Sequence, residues 1–148
     1  MKNYLDKFRL DGKVALVIGG AGTIGKEVCK AFATAGAKTV IIDKNGPAGK
    51  SLEKEMINEG CDVFFKKMDF VKIKSIEKNF SLILKKFKTI DIYINCAYPH
   101  TADWSKSSFK KVTAKRFAKN IEIQMISSAW TSRLIAETMS QKKTSGSI

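Results

Sequence analysis

Apolar and polar positions along this chain fall into two alternating regimes. Short apolar runs give way to longer stretches in which apolar residues return every third or fourth position. The first run, Val14-Ala15-Leu16-Val17-Ile18, is continuously apolar, which suits a strand buried on both faces of a parallel sheet better than a half-exposed one. The stretch after it sets Ile24, Val28, Ala31, Phe32 and Ala35 on one helical face and reaches Gly36, a fitting C-cap. A second strand is predicted over Lys38 to Ile42, ending in Asp43, and Asn45-Gly46-Pro47 reads as a turn into a helix over roughly 48 to 58, stopped by Gly60. Asp62 to Met68 forms a third strand, followed by Asp69. The clearest helical period comes next, in Ile73, Ile76, Phe80, Ile83, Leu84 and Phe87. Ile90 to Asn95 is a fourth strand, and Cys96-Ala97-Tyr98-Pro99-His100 a loop. From Thr113, an N-cap residue, a long helix carries Phe117, Ile121, Met125, Trp130, Leu134 and Ile135 to near Met139. Residues 1 to 12 read as a short leader with a turn at Asp11-Gly12.

Strands alternating with helices imply right-handed crossovers and an α/β, Rossmann-type doubly wound parallel sheet. The glycine cluster after the first strand sharpens this. Gly20-Ala21-Gly22-Thr23-Ile24-Gly25 satisfies G-x-G-x-x-G, and counted from Gly19 the run also satisfies G-x-x-G-x-x-G. In either register, residues without a Cβ permit a tight turn and a close backbone approach to a pyrophosphate at the start of a helix near Thr23. Asp43 follows eighteen residues after Gly25, at the end of the second strand, where a carboxylate can accept hydrogen bonds from ribose hydroxyls. Asp69 and Asn95 also fall at strand carboxyl ends, the rim where open parallel sheets bind ligands. Simpler roles exist for each: a structural glycine turn, a turn cap at Asp43, local hydrogen bonding at Asp69 and Asn95.

Composition narrows the class without changing it. A chain of 148 residues is about one domain. No apolar run approaches the roughly 20 residues of a membrane span, and the N-terminus has no apolar signal region, so a cytoplasmic location is expected. Cys29, Cys61 and Cys96 are widely spaced and the chain has a single histidine, His100, so no metal site is expected and the thiols read as reduced. His100 itself reads as an exposed loop residue. The formal charge of +13 raises nucleic-acid binding, but the lysines are spread along several predicted helices and read as solvated faces.

With these motifs in place, the chain resembles the short-chain dehydrogenase/reductase family over essentially its whole length. The glycine turn is similar to the family's T-G-x-x-x-G-x-G, with Ile18 at the usual threonine and Thr23 at the usual second glycine. The spacing of Gly19, Gly22 and Gly25 is closer to the family's extended branch. Asp69 resembles the aspartate beside the adenine ring, and Asn95-Cys96-Ala97-Tyr98 a variant of the N-N-A-G motif. The Ala-Tyr-Pro continuation is similar to members found with bacterial surface-glycan and flagellin modification. The resemblance implies an NAD(P)-dependent oxidoreductase that moves hydride to or from a carbonyl or alcohol carbon of a small molecule and works as a homo-oligomer. It places Gly19, Gly22, Thr23, Ile24, Gly25, Asp43, Asp69, Asn95 and Ala97 at the cofactor. NAD is expected ahead of NADP, although Lys44 beside Asp43 can favour a 2′-phosphate. Tyr98 and Trp104 are candidates for lining a substrate pocket.

The catalytic half of the pattern is missing. In the family a tyrosine and a lysine four residues later carry proton transfer, with a serine on the preceding strand. Here the tyrosines at 4, 93 and 98 are followed at that spacing by Phe8, Ala97 and Ala102, and Gln124 stands where the family usually has a catalytic asparagine. No catalytic residue is therefore assigned. Ser145-Gly146-Ser147-Ile148 resembles the start of the family's fifth strand, so the chain is expected to be the cofactor-binding half, residues 1 to 148, with a sheet incomplete on its C-terminal side. A non-catalytic dinucleotide-binding or regulatory module is the alternative in a different class, and a basic nucleic-acid-binding protein a further one.

Overall fold

The computed structural model describes residues 4–103, 108 and 110–148. A 3₁₀ turn over Tyr4–Phe8 precedes β1 (Val14–Ile18), α1 (Thr23–Thr34), β2 (Lys38–Asp43), α2 (Gly46–Asn58), β3 (Val63–Lys67), α3 (Ile73–Phe87) and β4 (Ile92–Asn95). A helical rod follows: α4 (Ala114–Met125), a π-helical turn (Ile126–Trp130) and α5 (Thr131–Gln141) in direct succession. The strands pair in parallel in the order β3-β2-β1-β4. This is the expected doubly wound α/β sheet, with its topological switch between β1 and β4.

Alternation along the strands divides the core into two layers. Leu16, Ile18, Val40, Ile42 and Tyr93 pack with Ile76, Phe80 and Ile83 of α3 and Ile135 and Met139 of α5. Val17, Ile41 and Phe65 face the other way, onto Cys29 and Ala33 of α1 and Leu52 and Met56 of α2. The unbroken apolar run of β1 is thus explained: every residue in it is buried because each face of the sheet carries helices. At the open side of β4, the Tyr93 amide donates to the Ser147 carbonyl at 2.9 Å and the Ser147 amide to the Asp91 carbonyl at 3.0 Å. Ser147 therefore adds parallel pairing beyond β4, where a fifth strand was expected to begin.

Three local expectations need correction. The buried line of α1 is Gly25, Cys29 and Ala33, whereas Ile24 is 73 % exposed. The glycine turn presses Gly25 against the Gly19 carbonyl, where a Cβ would collide, and this rotates the inward face by one residue. In α2 the Asn45-Gly46-Pro47 segment is the N-cap and first turn rather than a separate turn. Asn45 Oδ1 accepts the Ala48 amide at 3.2 Å, and proline sits where no amide donor is needed. In α4 the apolar series Phe117, Ile121 and Met125 faces solvent, at 53, 45 and 60 % exposure. Asn120 is the buried residue of α4 instead, while further along the rod Trp130, Leu134 and Ile135 of the same series do pack on the core, beside buried Ser127 and Thr131. Thr113 does cap α4, accepting the Arg116 amide at 3.2 Å.

Candidate functional site

The carboxyl ends of all four strands open onto one cleft of about 270 Å³. Gly19 and Gly22 line it from the turn after β1, Asp43 and Lys44 from the end of β2, and Asp69 to Val71 from the β3–α3 turn. Cys96 to Pro99 after β4 and Ser127 of the π-helical turn close the other end. Five of the residues expected at a cofactor, Gly19, Gly22, Asp43, Asp69 and Ala97, therefore share one cavity wall.

The glycine turn is built from backbone bonds. The Gly19 and Gly20 amides donate to the Ile42 carbonyl at 2.8 and 3.1 Å, and the Gly22 amide to the Gly19 carbonyl at 3.1 Å. Gly19 has φ +75°, and a Cβ there would lie 2.6 Å from the Ala97 amide nitrogen, so this glycine lets the turn touch the segment after β4. Gly22 is roomier: a Cβ would meet only the Gly19 carbonyl, at 3.2 Å. It is also the N-cap of α1 and offers no side chain to the first-turn amides. The turn's own amides are thus spent within the protein, and the donors left for an anion are those opening α1, at Thr23, Ile24 and Gly25. Thr23 and Ile24 are exposed there, while Gly25 is packed beneath the turn.

Asp43 joins the turn to α2. Its Oδ2 accepts the Ala21 amide at 3.1 Å and its Oδ1 the Asn45 amide at 2.8 Å. These bonds fix the carboxylate at the cleft wall, and each oxygen keeps a lone pair for a ligand hydroxyl. Asp69 is likewise engaged locally, accepting the Val71 amide at 3.0 Å, while its carbonyl accepts Ser75 Oγ at 2.9 Å. Asn95 supports from outside the cleft lining: its Oδ1 accepts the Ala97 amide at 3.0 Å. Beneath the turn, burial pushes the Cys29 thiol up to about 12, and burial also raises Cys96, so neither is poised as a nucleophile.

At the far end, Tyr98 lies 5.9 Å from the His100 ring in a tilted contact, and Trp104 lies outside the described residues. Gln124 is half-buried and its carbonyl accepts Ser127 Oγ at 3.2 Å. Sequence reasoning missed Ser127 and Asn120. Both sit at helical spacing from Gln124, a signal carried by polar residues, which the apolar period does not register. Among the described residues no cluster of three His, Cys, Asp or Glu could hold a metal ion, and no helix is long and apolar enough to cross a membrane.

Comparison with known proteins places this geometry. An uncharacterized oxidoreductase of Schizosaccharomyces pombe is 33 % identical over 125 residues, 84 % of this chain and 46 % of its own length. A probable NADP-dependent mannitol dehydrogenase of Yarrowia lipolytica is 35 % identical over 102 residues, 68 % of this chain and 37 % of its own. The crystal structure of gox2181 superposes with a TM-score of 0.84 at 26 % identity, covering 99 % of this chain and 56 % of that one. The chain spans about half the length of the first of these curated relatives. The family model for short chain dehydrogenases matches residues 13–148, and with the glycine turn, Asp43 and Asn95 set around one cleft, this chain belongs to the short chain dehydrogenase family.

Proposed function

We propose that this chain is the cofactor-binding part of an NAD(P)-dependent oxidoreductase that transfers hydride between a nicotinamide and a carbonyl or alcohol carbon of a small molecule. The observation that carries the reading is the meeting of the Gly19-to-Gly25 turn with Asp43 on one cleft, tied by the Ala21 amide to Asp43 Oδ2. Gly22 leaves the room a pyrophosphate needs, and the uncapped start of α1 turns amides and the positive end of the helix dipole toward it. Asp43 holds the ribose hydroxyls, Asp69 borders the adenine, and Ala97 flanks the cofactor, with Asn95 bracing Ala97 from behind. The bound nicotinamide supplies or accepts the hydride, and the protein binds, orients and excludes water.

NAD is favoured over NADP because the Asp43 carboxylate would repel a 2′-phosphate, while Lys44 on the same wall works against that preference. The similarity of Asn95-Cys96-Ala97-Tyr98-Pro99 to the corresponding stretch of oxidoreductases of bacterial surface-glycan and flagellin modification makes polyhydroxylated substrates the first to try. The test is calorimetric titration of the chain with NADH and NADPH. Gly22→Asp requires the Gly19 carbonyl to give by a few tenths of an ångström and sets a carboxylate where the pyrophosphate lies; with a native-like unfolding transition, a loss of NADH affinity of at least about tenfold is expected. Unchanged affinity would make the glycine turn purely structural.

The exposed stripe of Phe117, Ile121 and Met125 supports a homo-oligomer, since contiguous apolar surface at four-residue spacing favours helix pairing. Ile121→Glu is expected to shift the mass in light scattering to that of a single chain that still unfolds cooperatively, with a midpoint that no longer depends on protein concentration. An oligomer that persists would clear this face.

A further inference from the structure

Asn120 is only 1 % exposed although α4 is otherwise largely solvated. A buried amide is costly unless its donors and acceptors are met, and here they are met almost entirely by one distant residue. Asn120 Oδ1 accepts the Thr101 amide at 2.9 Å, and its Nδ2 donates to Thr101 Oγ1 at 3.0 Å and to the Arg116 carbonyl at 2.9 Å. A second tie lies alongside, Arg116 Nε to Asp103 Oδ2 at 2.6 Å. The other end of the same segment is anchored in the sheet. The Cys96 amide donates to the Ile18 carbonyl at 2.8 Å and the Ala97 amide to Asn95 Oδ1 at 3.0 Å. Between these two anchorages run only Tyr98, Pro99 and His100. Tyr98 and Pro99 line the cleft at the end away from Asp43, whereas Asn120 is not among the lining residues.

We propose that Asn120 is a positioning residue for the reaction end of the cleft: by pinning Thr101 to α4 it sets the height of the Tyr98–Pro99 wall against the nicotinamide half of the cofactor. The proposal rests on the dinucleotide reading above. An apolar contact would bury similar area without fixing the backbone, because dispersion is not directional, whereas bonds to the Thr101 amide and hydroxyl admit one register. Aspartate would keep the acceptor and lose both donors. Asn120 is absent from the lining that carries Gly19, Gly22 and Asp43, and β1 stands between β4 and β2 in the sheet, so the pin acts first on the half of the ligand beside Tyr98 and Pro99.

That asymmetry gives the test. The full chain, Asn120→Ala, Asn120→Asp and Thr101→Val are titrated with NADH and with ADP, following heat release and nicotinamide emission, after thermal unfolding of each. Asn120→Ala is expected to weaken NADH about tenfold and to remove the change in nicotinamide emission on binding, while ADP affinity stays within about twofold. Thr101→Val, which exchanges the hydroxyl for a methyl and so removes its bonds to Asn120 and Asp103 while keeping the Thr101 amide on Asn120 Oδ1, is expected to shift the NADH-to-ADP ratio about threefold. A merely structural role would lower the unfolding midpoint and move both affinities together, and an unmoved ratio overturns the proposal while the dinucleotide reading stands. A native chain that binds neither ligand overturns that reading and the proposal with it. Should Asn120→Ala fail to fold, the Thr101→Val ratio decides.

Discussion

Asp91 shows how one buried carboxylate can organise the start of a strand. It stands just before β4, 7 % exposed, inside the apolar context Ile90-Asp91-Ile92. Its Oδ2 accepts the Val14 amide at 2.9 Å, and Lys13 Nζ lies 3.8 Å from Oδ1. The side chain thus closes the ladder between β1 and β4 where the backbone pairing begins. Asp91→Ala would leave the Val14 amide buried without its acceptor. The expected cost is about 1–3 kcal/mol, read as a lower urea midpoint with an unchanged slope. Asp91→Asn retains an acceptor oxygen for that amide and should recover much of the loss. An alanine variant as stable as the parent would show that the amide finds another partner. Strand-end reasoning singled out Asp43, Asp69 and Asn95 because ligands gather at carboxyl ends; Asp91, at the amino end, was passed over although a lone acid within an apolar run was visible.

At the scale of elements, β3 is one edge of the sheet, at the end opposite β4, and such an edge invites pairing with another chain. Glu53 of α2 covers part of it: Oε1 accepts the Phe65 amide at 2.6 Å. Glu53→Ala should cost about 1–2 kcal/mol for the lost charge-assisted bond and raise turbidity on heating in proportion to concentration. Glu53→Gln should suppress that turbidity. If the alanine variant stays clear and monodisperse, the edge is protected by something other than Glu53. The strands themselves were legible because continuous apolar runs admit few alternatives, and α3 was legible because its period is regular and its buried line, Ile76, Phe80 and Ile83, matches it. The rod was not legible in the same way. In its second part Trp130, Leu134 and Ile135 do pack on the core as the period predicts, but the inward face of α4 is chosen by hydrogen bonds to a segment nineteen positions away, which no local period records. Periodicity therefore chose the apolar stripe of α4 as inward when the polar one is. The glycine turn and Asp43 were readable from spacing alone, but the consumption of the turn's amides by Ile42 and Gly19 required the pairing of β1 with β2.

For the whole molecule the two core layers each contain an acid held neutral by burial. Cys29, between α1 and the sheet, is raised from 9.0 to about 12 by desolvation, helped by the neighbouring Cys96 and Asp43. Tyr93, on the opposite face, is raised from 10.0 to about 12 by burial, against the lowering influence of Ser132 and Thr131 beside it. Both native values lie above the unfolded ones, so the unfolded chain releases these protons first as pH rises. Their contribution to stability is complete below pH 9.0 for Cys29 and below 10.0 for Tyr93, and drains away toward about 12. Each group adds a slope of about 1.4 kcal/mol per pH unit within its window. A competing term comes from the net charge of +13, since deprotonating lysines relieves self-repulsion and raises stability over part of the same range. The two effects separate by difference. Urea unfolding of the parent, Cys29→Ala and Tyr93→Phe at matched salt between pH 8 and 11 leaves the lysine term common to all three. The parent should lose stability relative to Cys29→Ala from about pH 9 upward, and relative to Tyr93→Phe only from about pH 10. Parallel curves across the whole range would mean that both groups titrate as in the unfolded chain, and that the two layers admit water at those positions.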